Sequence, residues 1–293
     1  MQELYETGAK VLPNESLSKH TTLGIGGPAE WYLEVKNPAQ LHAVLQTARK
    51  NKIPAFFLGE GSNLLVSDRG IKGLAIRLKG DFESVAFAGD RVKAGAGVFL
   101  PTLVKQCADK GLGGMEALVG VPGTVGGALV MNAGTRDLEI GSLVQSVEIL
   151  GAGGNLESLS GGQIKFEYRS SSLAGKTVCF AVLQLKARDK NDIIAQVQKF
   201  LEYRLKTQPV GAMNVGSIFK NPPGKFAAEL IEKAGLKGRR IGQAQVSPKH
   251  ANFIVNLGGA GSQDVRNLIS LIQKEVKEKF GVDLEPEVKM VGL

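Results

Sequence analysis

Four side chains in this 293-residue sequence have neighbours that suit chemistry: Ser217, Arg169, Glu287 and His250. Ser217 stands in NVGSIFKNPPG. With Gly216 before it and Ile218 and Phe219 after it, the hydroxyl can be partly desolvated, which suits handing over a proton. The same serine equally suits a turn or helix-cap role. No G-x-S-x-G elbow surrounds it, which disfavours nucleophilic hydrolase chemistry. Arg169 closes FEYR; its planar fork serves as a carboxylate or phosphate clamp, or as a surface cap on a strand end. Glu287 lies in LEPEVKMVG, where Pro286 fixes the backbone before it. By itself that segment reads as a solvated strand. His250, in SPKHAN, is a ligand contact or a plain loop residue.

Glycine is the other unusual feature: the chain has 38, crowded before residue 162. Three glycine loops invite a test for a dinucleotide site. GIGGPA (24–29) contains Pro28 and runs into a strand pattern. GEGSNL (59–64) lacks a third glycine and also leads into a strand. GAGVFL (95–100) precedes a helix but lacks the third small residue. None carries the GK[ST] of a P-loop. A doubly wound nucleotide fold and an NTPase are therefore disfavoured. GEGSN still offers backbone N–H groups with little steric cover, together with the Ser62 hydroxyl and the Asn63 amide, a nest that suits a pyrophosphate. VPGTVGGALVMNAG could let the backbone approach a large flat ligand. Each loop alone also reads as a tight turn; two of them, both joined to buried strand patterns, favour a large phosphorylated cofactor.

The elements that would carry these residues fall into three parts. The first, 1–70, is a small β-α-β unit: strand 30–35, a helix capped by Asn37 with Pro38 at its first position, strand 54–58, the 59–63 loop and LLV at 64–66. The second, 71–190, has strands at 73–78, 84–89 and 91–96, a helix at 101–111, the glycine-rich stretch 117–134, a hairpin over 143–159 and a strand at 178–187. The third, 191–293, has helices at 191–206 and 225–235, a strand at 252–257, and a helix capped by Ser262. Its stripe of Val265, Leu268, Ile269, Ile272, Val276 and Phe280 closes at Gly281. The fold class expected is α+β.

Bulk properties narrow the partners. Hydrophobic residues are 43% and charged residues 22%, an ordinary globular balance. No apolar run approaches bilayer length and the N-terminus lacks a secretory pattern. Two distant cysteines, no CxxC and three scattered histidines argue against a metal site and a disulfide framework, and fit a reducing, cytoplasmic setting. The +8 net charge is spread along the chain with only 6% aromatics, which fits small phosphorylated ligands better than nucleic acid.

Taken together, TTLGIGGPA, LGEGSNLLVSD, GAGV, ALVGVPGTVGGALVMNAG, FEYRSS, GSIFKNP and LEPEV resemble, in order, the UDP-N-acetylenolpyruvoylglucosamine reductase family. The resemblance runs from about residue 20 to the C-terminus. It implies a two-subdomain FAD-binding region of the vanillyl-alcohol-oxidase (PCMH) type, followed by a C-terminal α+β substrate-binding domain. It implies non-covalent FAD held by Gly59, Glu60, Gly61, Ser62, Asn63, Leu64, Gly95, Pro122, Gly123, Thr124, Gly126, Gly127, Asn132, Ala133 and Gly134.

NADPH would reduce the flavin and leave. UDP-N-acetylglucosamine enolpyruvate would then take its place, with hydride passing from flavin N5 to the methylene carbon. Ser217 matches the family's proton donor, and Arg169 and Glu287 match residues that stabilise the enolate. Glu287 would then be protonated or strongly hydrogen-bonded, with a raised pKa. Asn221, His250 and Lys220 match positions around the substrate. The resemblance also implies a monomer with no nucleic-acid or membrane partner. The chain lacks the tyrosine-bearing insertion that some members carry after FEYR, so it resembles the shorter class. A rival of the same fold, an oxidase of sugars or alcohols, would usually attach flavin covalently. The only histidines in the first part, His20 and His42, lie outside the glycine loops.

Overall fold

The computed structural model describes residues 2–293. It divides into two compact units. The first comprises the chain up to Pro13, Trp31–Glu60 and Gly73–Tyr203; the second comprises Asn14–Glu30, Gly61–Lys72 and Arg204–Leu293.

The first unit contains a five-stranded antiparallel sheet in the order Leu156–Ser160, Val144–Leu150, Val178–Gln184, Arg91–Gly95, Val85–Ala88. The expected 143–159 hairpin supplies its outer two strands. Val147, Ala181 and Leu183 belong to a buried cluster with Leu100, Leu103, Val104 and Cys107 of the helix Leu100–Asp109. Apolar residues three and four apart on that helix give it the stripe that this packing requires.

A four-stranded sheet runs in the order Lys10–Ser16, Pro28–Val35, Ile71–Leu78, Ala55–Phe57. The helix Pro38–Lys50 begins as its sequence predicts: Asn37 Oδ1 accepts the Gln40 N–H at 2.9 Å, and Pro38 occupies the first turn. Leu41, Val44 and Ala48 cluster with Leu33, Val35, Leu74 and Ile76.

Two differences from the sequence reading concern this β-α-β unit. The partner of Ala55–Phe57 is Ile71–Leu78, in parallel register. The latter's Gly73–Ile76 stretch is wholly buried, as a central strand requires. Leu64–Val66 pairs instead, in parallel, with Lys289–Val291 of its own unit. The chain changes direction at Gly61, which has φ +63° and lies so close to the His20 carbonyl that a Cβ would overlap it. The N-terminal helix Gln2–Glu6 and the strand Lys10–Ser16 carry no strong pattern and had no counterpart in the sequence reading.

The second unit contains an antiparallel sheet in the order Met213–Ser217, Phe253–Asn256, Ala244–Val246, Arg240–Ile241. The helix Ser262–Phe280 buries Val265, Leu268, Ile269, Ile272 and Val276 in one cluster with Val215, Ile218, Phe219 and Ile254. Gly261, not Ser262, is its N-cap, and Asp264 accepts the Gly261 N–H at 3.1 Å. Ser262 is buried, and its N–H and hydroxyl both donate to the Asp68 carboxylate, at 2.8 and 2.9 Å. An aspartate from another segment thus satisfies the first turn and relieves the serine of capping.

Candidate active site

In the second unit, Ser217 ends the strand Met213–Ser217 opposite Phe253. The ladder loses register between Asn214 and Ser217, and Gly216 takes φ +75° in that gap. Such a bulge re-aims the following side chain, and glycine is the residue that adopts this backbone without strain.

Beyond Ser217 the chain is flanked on both sides. Ile218 donates its N–H to the Asn252 carbonyl at 2.9 Å and accepts the Glu287 N–H on its own carbonyl at 2.7 Å. Lys220 N–H donates to the Glu285 carbonyl at 2.9 Å, and Phe219 bridges to Pro286. GSIFKNP and LEPEV, far apart in sequence, are therefore adjacent strips of backbone. Glu287 is hydrogen-bonded to the residue that follows Ser217. The Asn63 amide donates to the Glu287 carbonyl at 3.2 Å, and the Lys289 N–H donates to the Asn63 carbonyl at 3.0 Å, which anchors the end of the GEGSN loop to the same strip.

The other expected substrate residues surround this strip. Lys220 pairs with Glu285 at 2.6 Å. Asn221 Oδ1 accepts the Ala227 N–H at 3.0 Å and so opens the helix Ala227–Lys233. His250 packs edge-on against Phe253, with ring centres 4.7 Å apart, and its Nδ1 accepts the Asn252 N–H at 3.3 Å. Burial, reinforced by the nearby Lys237 charge, holds the His250 pKa below the ordinary imidazole value.

In the first unit, Arg169 lies in a two-residue turn between Phe166–Glu167 and Ser170–Ser171, with φ +57°. A non-glycine residue in this region costs about 1–2 kcal/mol, so the surroundings must enforce it. They do so by lacing the turn to the end of the glycine-rich stretch. Arg169 Nη2 donates to the Gly134 carbonyl at 3.0 Å, and the guanidinium lies 5.0 Å from the Tyr168 ring centre. Asn132 is buried and itself left-handed at φ +43°. Its amide donates to Glu139 Oε2 at 2.8 Å and to the Glu167 carbonyl at 3.0 Å, and accepts the Gly141 N–H at 3.0 Å. Ser171 Oγ donates to the Leu129 and Val130 carbonyls, at 2.8 and 2.9 Å, and so caps the helix Val125–Val130.

The glycine loops divide into those that their own packing explains and those that it does not. A Cβ on Gly95 would overlap the Phe82 carbonyl, one on Gly126 would lie 2.9 Å from Ala96 Cβ, and one on Gly59 would lie 2.8 Å from Thr124 Oγ1. A Cβ on Gly134 would strike the Leu138 carbonyl. Thr124 caps its helix through a 3.3 Å bond from the Gly127 N–H. Pro122 and Gly123 precede it, and Ala133 donates to the Ala128 carbonyl at 2.7 Å. The Glu60 carboxylate pairs with Arg77.

Packing does not account for the N–H groups of the GEGSN loop. Among the described residues, those of Gly59 and Glu60 in the first unit, and of Gly61 and Asn63 in the second, find no protein acceptor. In the first unit, the Gly59 and Glu60 amides without internal acceptors suit phosphate oxygens such as those of an FAD pyrophosphate. No group of three or more His, Cys, Asp or Glu among the described residues could hold a metal ion. Burial pushes the thiols of Cys107 and Cys179 up to about 12, away from thiolate chemistry. No helix among the described residues is long and apolar enough to cross a membrane.

The chain resembles known proteins along nearly its whole length. Residues 29–160 match a family described as an FAD binding domain, and residues 208–291 match the UDP-N-acetylenolpyruvoylglucosamine reductase C-terminal domain. UDP-N-acetylenolpyruvoylglucosamine reductase 2 of Symbiobacterium thermophilum is 45% identical over 95% of this chain and 91% of its own length. The crystal structure of the Thermus caldophilus UDP-N-acetylenolpyruvylglucosamine reductase superposes with a TM-score of 0.84 at 39% identity. It covers 97% of this chain and 98% of its own. BBE-like 1 of Physcomitrella patens, at 11% identity and a TM-score of 0.55 over 94% of this chain and 88% of its own, shares the fold alone. The chain belongs to the UDP-N-acetylenolpyruvoylglucosamine reductase family.

Proposed function

We propose that this chain is an NADPH-dependent flavoenzyme that reduces the enolpyruvyl ether of UDP-N-acetylglucosamine enolpyruvate to UDP-N-acetylmuramate, in the cytoplasm and as a monomer. This is a step of peptidoglycan precursor synthesis. The observation that carries the reading is the Glu287 to Ile218 backbone bond, which sets LEPEV beside GSIFKNP in a chain 45% identical to a named reductase.

Non-covalent FAD, when bound, supplies the hydride taken from NADPH. The segments up to residue 190 would hold it, chiefly through the amides of Gly59, Glu60, Gly61 and Asn63 and the stretch from Pro122 to Gly134. Residues 191–293 would hold the sugar nucleotide, with Lys220, Asn221 and His250 around it. The protein's own part is then to place charge and a proton. As hydride reaches the methylene carbon, negative charge moves onto the neighbouring carbon and its carboxylate. The Arg169 guanidinium stabilises that charge. A protonated or strongly hydrogen-bonded Glu287 adds to this, whereas a bare carboxylate would oppose it. The O–H bond of Ser217 breaks, its proton goes to the carbon adjacent to the carboxylate, and solvent returns a proton to the serine oxygen. A positioned donor of this kind is worth about 10²–10⁴ in rate.

The test is anaerobic and in two halves. NADPH should bleach the purified yellow protein, and UDP-N-acetylglucosamine enolpyruvate should restore the colour. A protein that takes up no FAD, or a reduced protein that this sugar does not reoxidise, overturns the reading.

A further inference from the structure

We propose that Asn252, which lies in the SPKHAN segment, is a positioning residue for the protonation step. It rests on the proton-donor reading of Ser217 and names the residue that fixes that serine's direction. Asn252 is 4% exposed in the second unit, and its side chain is wholly committed to one neighbour. Its Oδ1 accepts the Phe219 N–H at 3.0 Å, and its Nδ2 donates to the Phe219 carbonyl at 2.8 Å. Its own carbonyl accepts the Ile218 N–H at 2.9 Å. One residue thus holds three of the four backbone polar groups of the two residues that follow Ser217, and the fourth, the Ile218 carbonyl, accepts the Glu287 N–H. A primary amide presents a donor and an acceptor side by side to both polar groups of a peptide residue, so these two bonds fix which way the amide faces.

The position of this clamp matters. On the N-terminal side, Ser217 follows Gly216, whose left-handed backbone sits in a register shift and whose N–H donates to Asn214 Oδ1 at 2.9 Å. On the C-terminal side, Ile218 and Phe219 are each 1% exposed and are bracketed by Asn252. The far edge of the same two residues carries the 2.7 Å bond from Glu287. Asn252, Ile218–Phe219 and Glu287 therefore form one three-strip frame. A shift of the central strip moves the Ser217 hydroxyl and the Glu287 backbone together. An error of about 1 Å in a reacting group can cost about 10²-fold, so such a frame acts on rate more than on binding.

Three variants test this against a merely structural role. Asn252→Ala removes both side-chain bonds. Asn252→Asp keeps an acceptor for the Phe219 N–H but sets a second oxygen against the Phe219 carbonyl until it is protonated. Ser217→Ala is the reference. For Asn252→Ala, reoxidation of the reduced protein by UDP-N-acetylglucosamine enolpyruvate should slow by about 10–100-fold, with a larger solvent deuterium isotope effect. Reduction by NADPH should stay within about twofold of wild type and the sugar's dissociation constant within about threefold. Relative to wild type at the same pH, which shares the protonation of His250 whose Nδ1 accepts the Asn252 N–H, Asn252→Asp should regain reoxidation rate as the pH is lowered. If Asn252→Ala does not fold, the pH profile of Asn252→Asp carries the test by itself. Equal slowing of both half-reactions, an unchanged isotope effect, or a flat pH profile for Asn252→Asp overturns the proposal. Loss of reoxidation in Ser217→Ala with wild-type rates in the Asn252 variants also rejects the positioning role, and leaves the proton-donor reading intact. Normal reoxidation in Ser217→Ala rejects that reading itself.

Discussion

The segment around Ser217 and the turn around Arg169 hold their functional side chains by opposite means. Ser217 and Glu287 sit on strips of backbone whose mutual bonds are main-chain bonds of ordinary geometry, 2.7 and 2.9 Å long. Arg169 sits on a two-residue turn in a backbone conformation that disfavours its own side chain, and side chains hold it there: Asn132 bonds the Glu167 carbonyl and Arg169 bonds Gly134. The first arrangement is cheap to form and directs a short side chain with little reach. The second stores strain and aims a long, charged side chain that must not wander. A hydroxyl two bonds from the backbone needs its backbone fixed, whereas a guanidinium needs its turn fixed and its stem packed.

The largest expected effect falls on the unstrained side. Ser217→Ala should leave folding and reduction by NADPH near wild type and slow the sugar half-reaction by about 10²–10⁴. Anaerobic stopped-flow of the two halves measures both, and equal losses in each would break the contrast drawn above. On the strained side the largest effect should be structural. Asn132→Ala removes the partner of the part-buried Gly141 N–H and Glu167 carbonyl and keeps a left-handed backbone without the polar side chain that suits it. A destabilisation of about 3 kcal/mol, read as a shift in denaturant midpoint, is expected. A change below about 0.5 kcal/mol would mean that the turn is held by something other than this amide.

Much of this contrast was legible in the residue order, and the parts that were not have physical reasons. The helix after Asn37, the hairpin over 144–160 and the stripe of the last helix follow from local chemistry: a cap, a glycine turn and a 3.6-residue period. The expected Ser262 cap failed because Asp68, far away in sequence, takes both of the serine's donors. The strand Leu64–Val66 had the right span, but its partner, Lys289–Val291, lies at the other end of the chain, and a parallel pairing over such a distance leaves no local signal. Among the site residues, Ser217 reads locally either as a proton donor or as a turn residue and Glu287 as a solvated strand residue, and it is their shared strip of backbone that brings them together. Asn252 carries no local signal, because an asparagine after His-Ala looks like any loop residue and only the fold gives it three bonds to Ile218 and Phe219. Gly95 and Gly126, which the resemblance assigns to the cofactor, are in addition required by the protein's own packing.

A smaller effect separates strain from function at the turn. Arg169→Gly relieves the left-handed backbone but loses the bond to Gly134 and the Tyr168 contact, and it loosens the unfolded chain. These changes oppose one another, so stability should stay within about 1 kcal/mol of wild type while the sugar half-reaction is lost. Arg169→Val keeps the strain, adds a β-branched clash and should be about 1–2 kcal/mol less stable than Arg169→Gly. Equal stability of the two variants would show that the turn carries no strain.

The smallest effect expected is a pH dependence at His250. Its folded pKa lies below the ordinary value, first because of burial and then because of Lys237, with Glu232 opposing. In the unfolded chain the ring titrates near the ordinary value of about 6.5. As the pH falls through that value the unfolded chain takes up a proton that the folded protein refuses. The stability contributed by neutral His250 is therefore complete above about pH 6.5 and declines below it. Protonation would also turn Nδ1 from an acceptor into a donor and set it against the Asn252 N–H that it now accepts at 3.3 Å. Stability of the wild type should therefore fall more steeply between pH 7.5 and 5.5 than that of His250→Gln, which has no proton to gain. Parallel slopes would show that the ring is already solvated in the folded state. A steeper slope for His250→Gln would reverse the sign and place the ring beside a net negative charge.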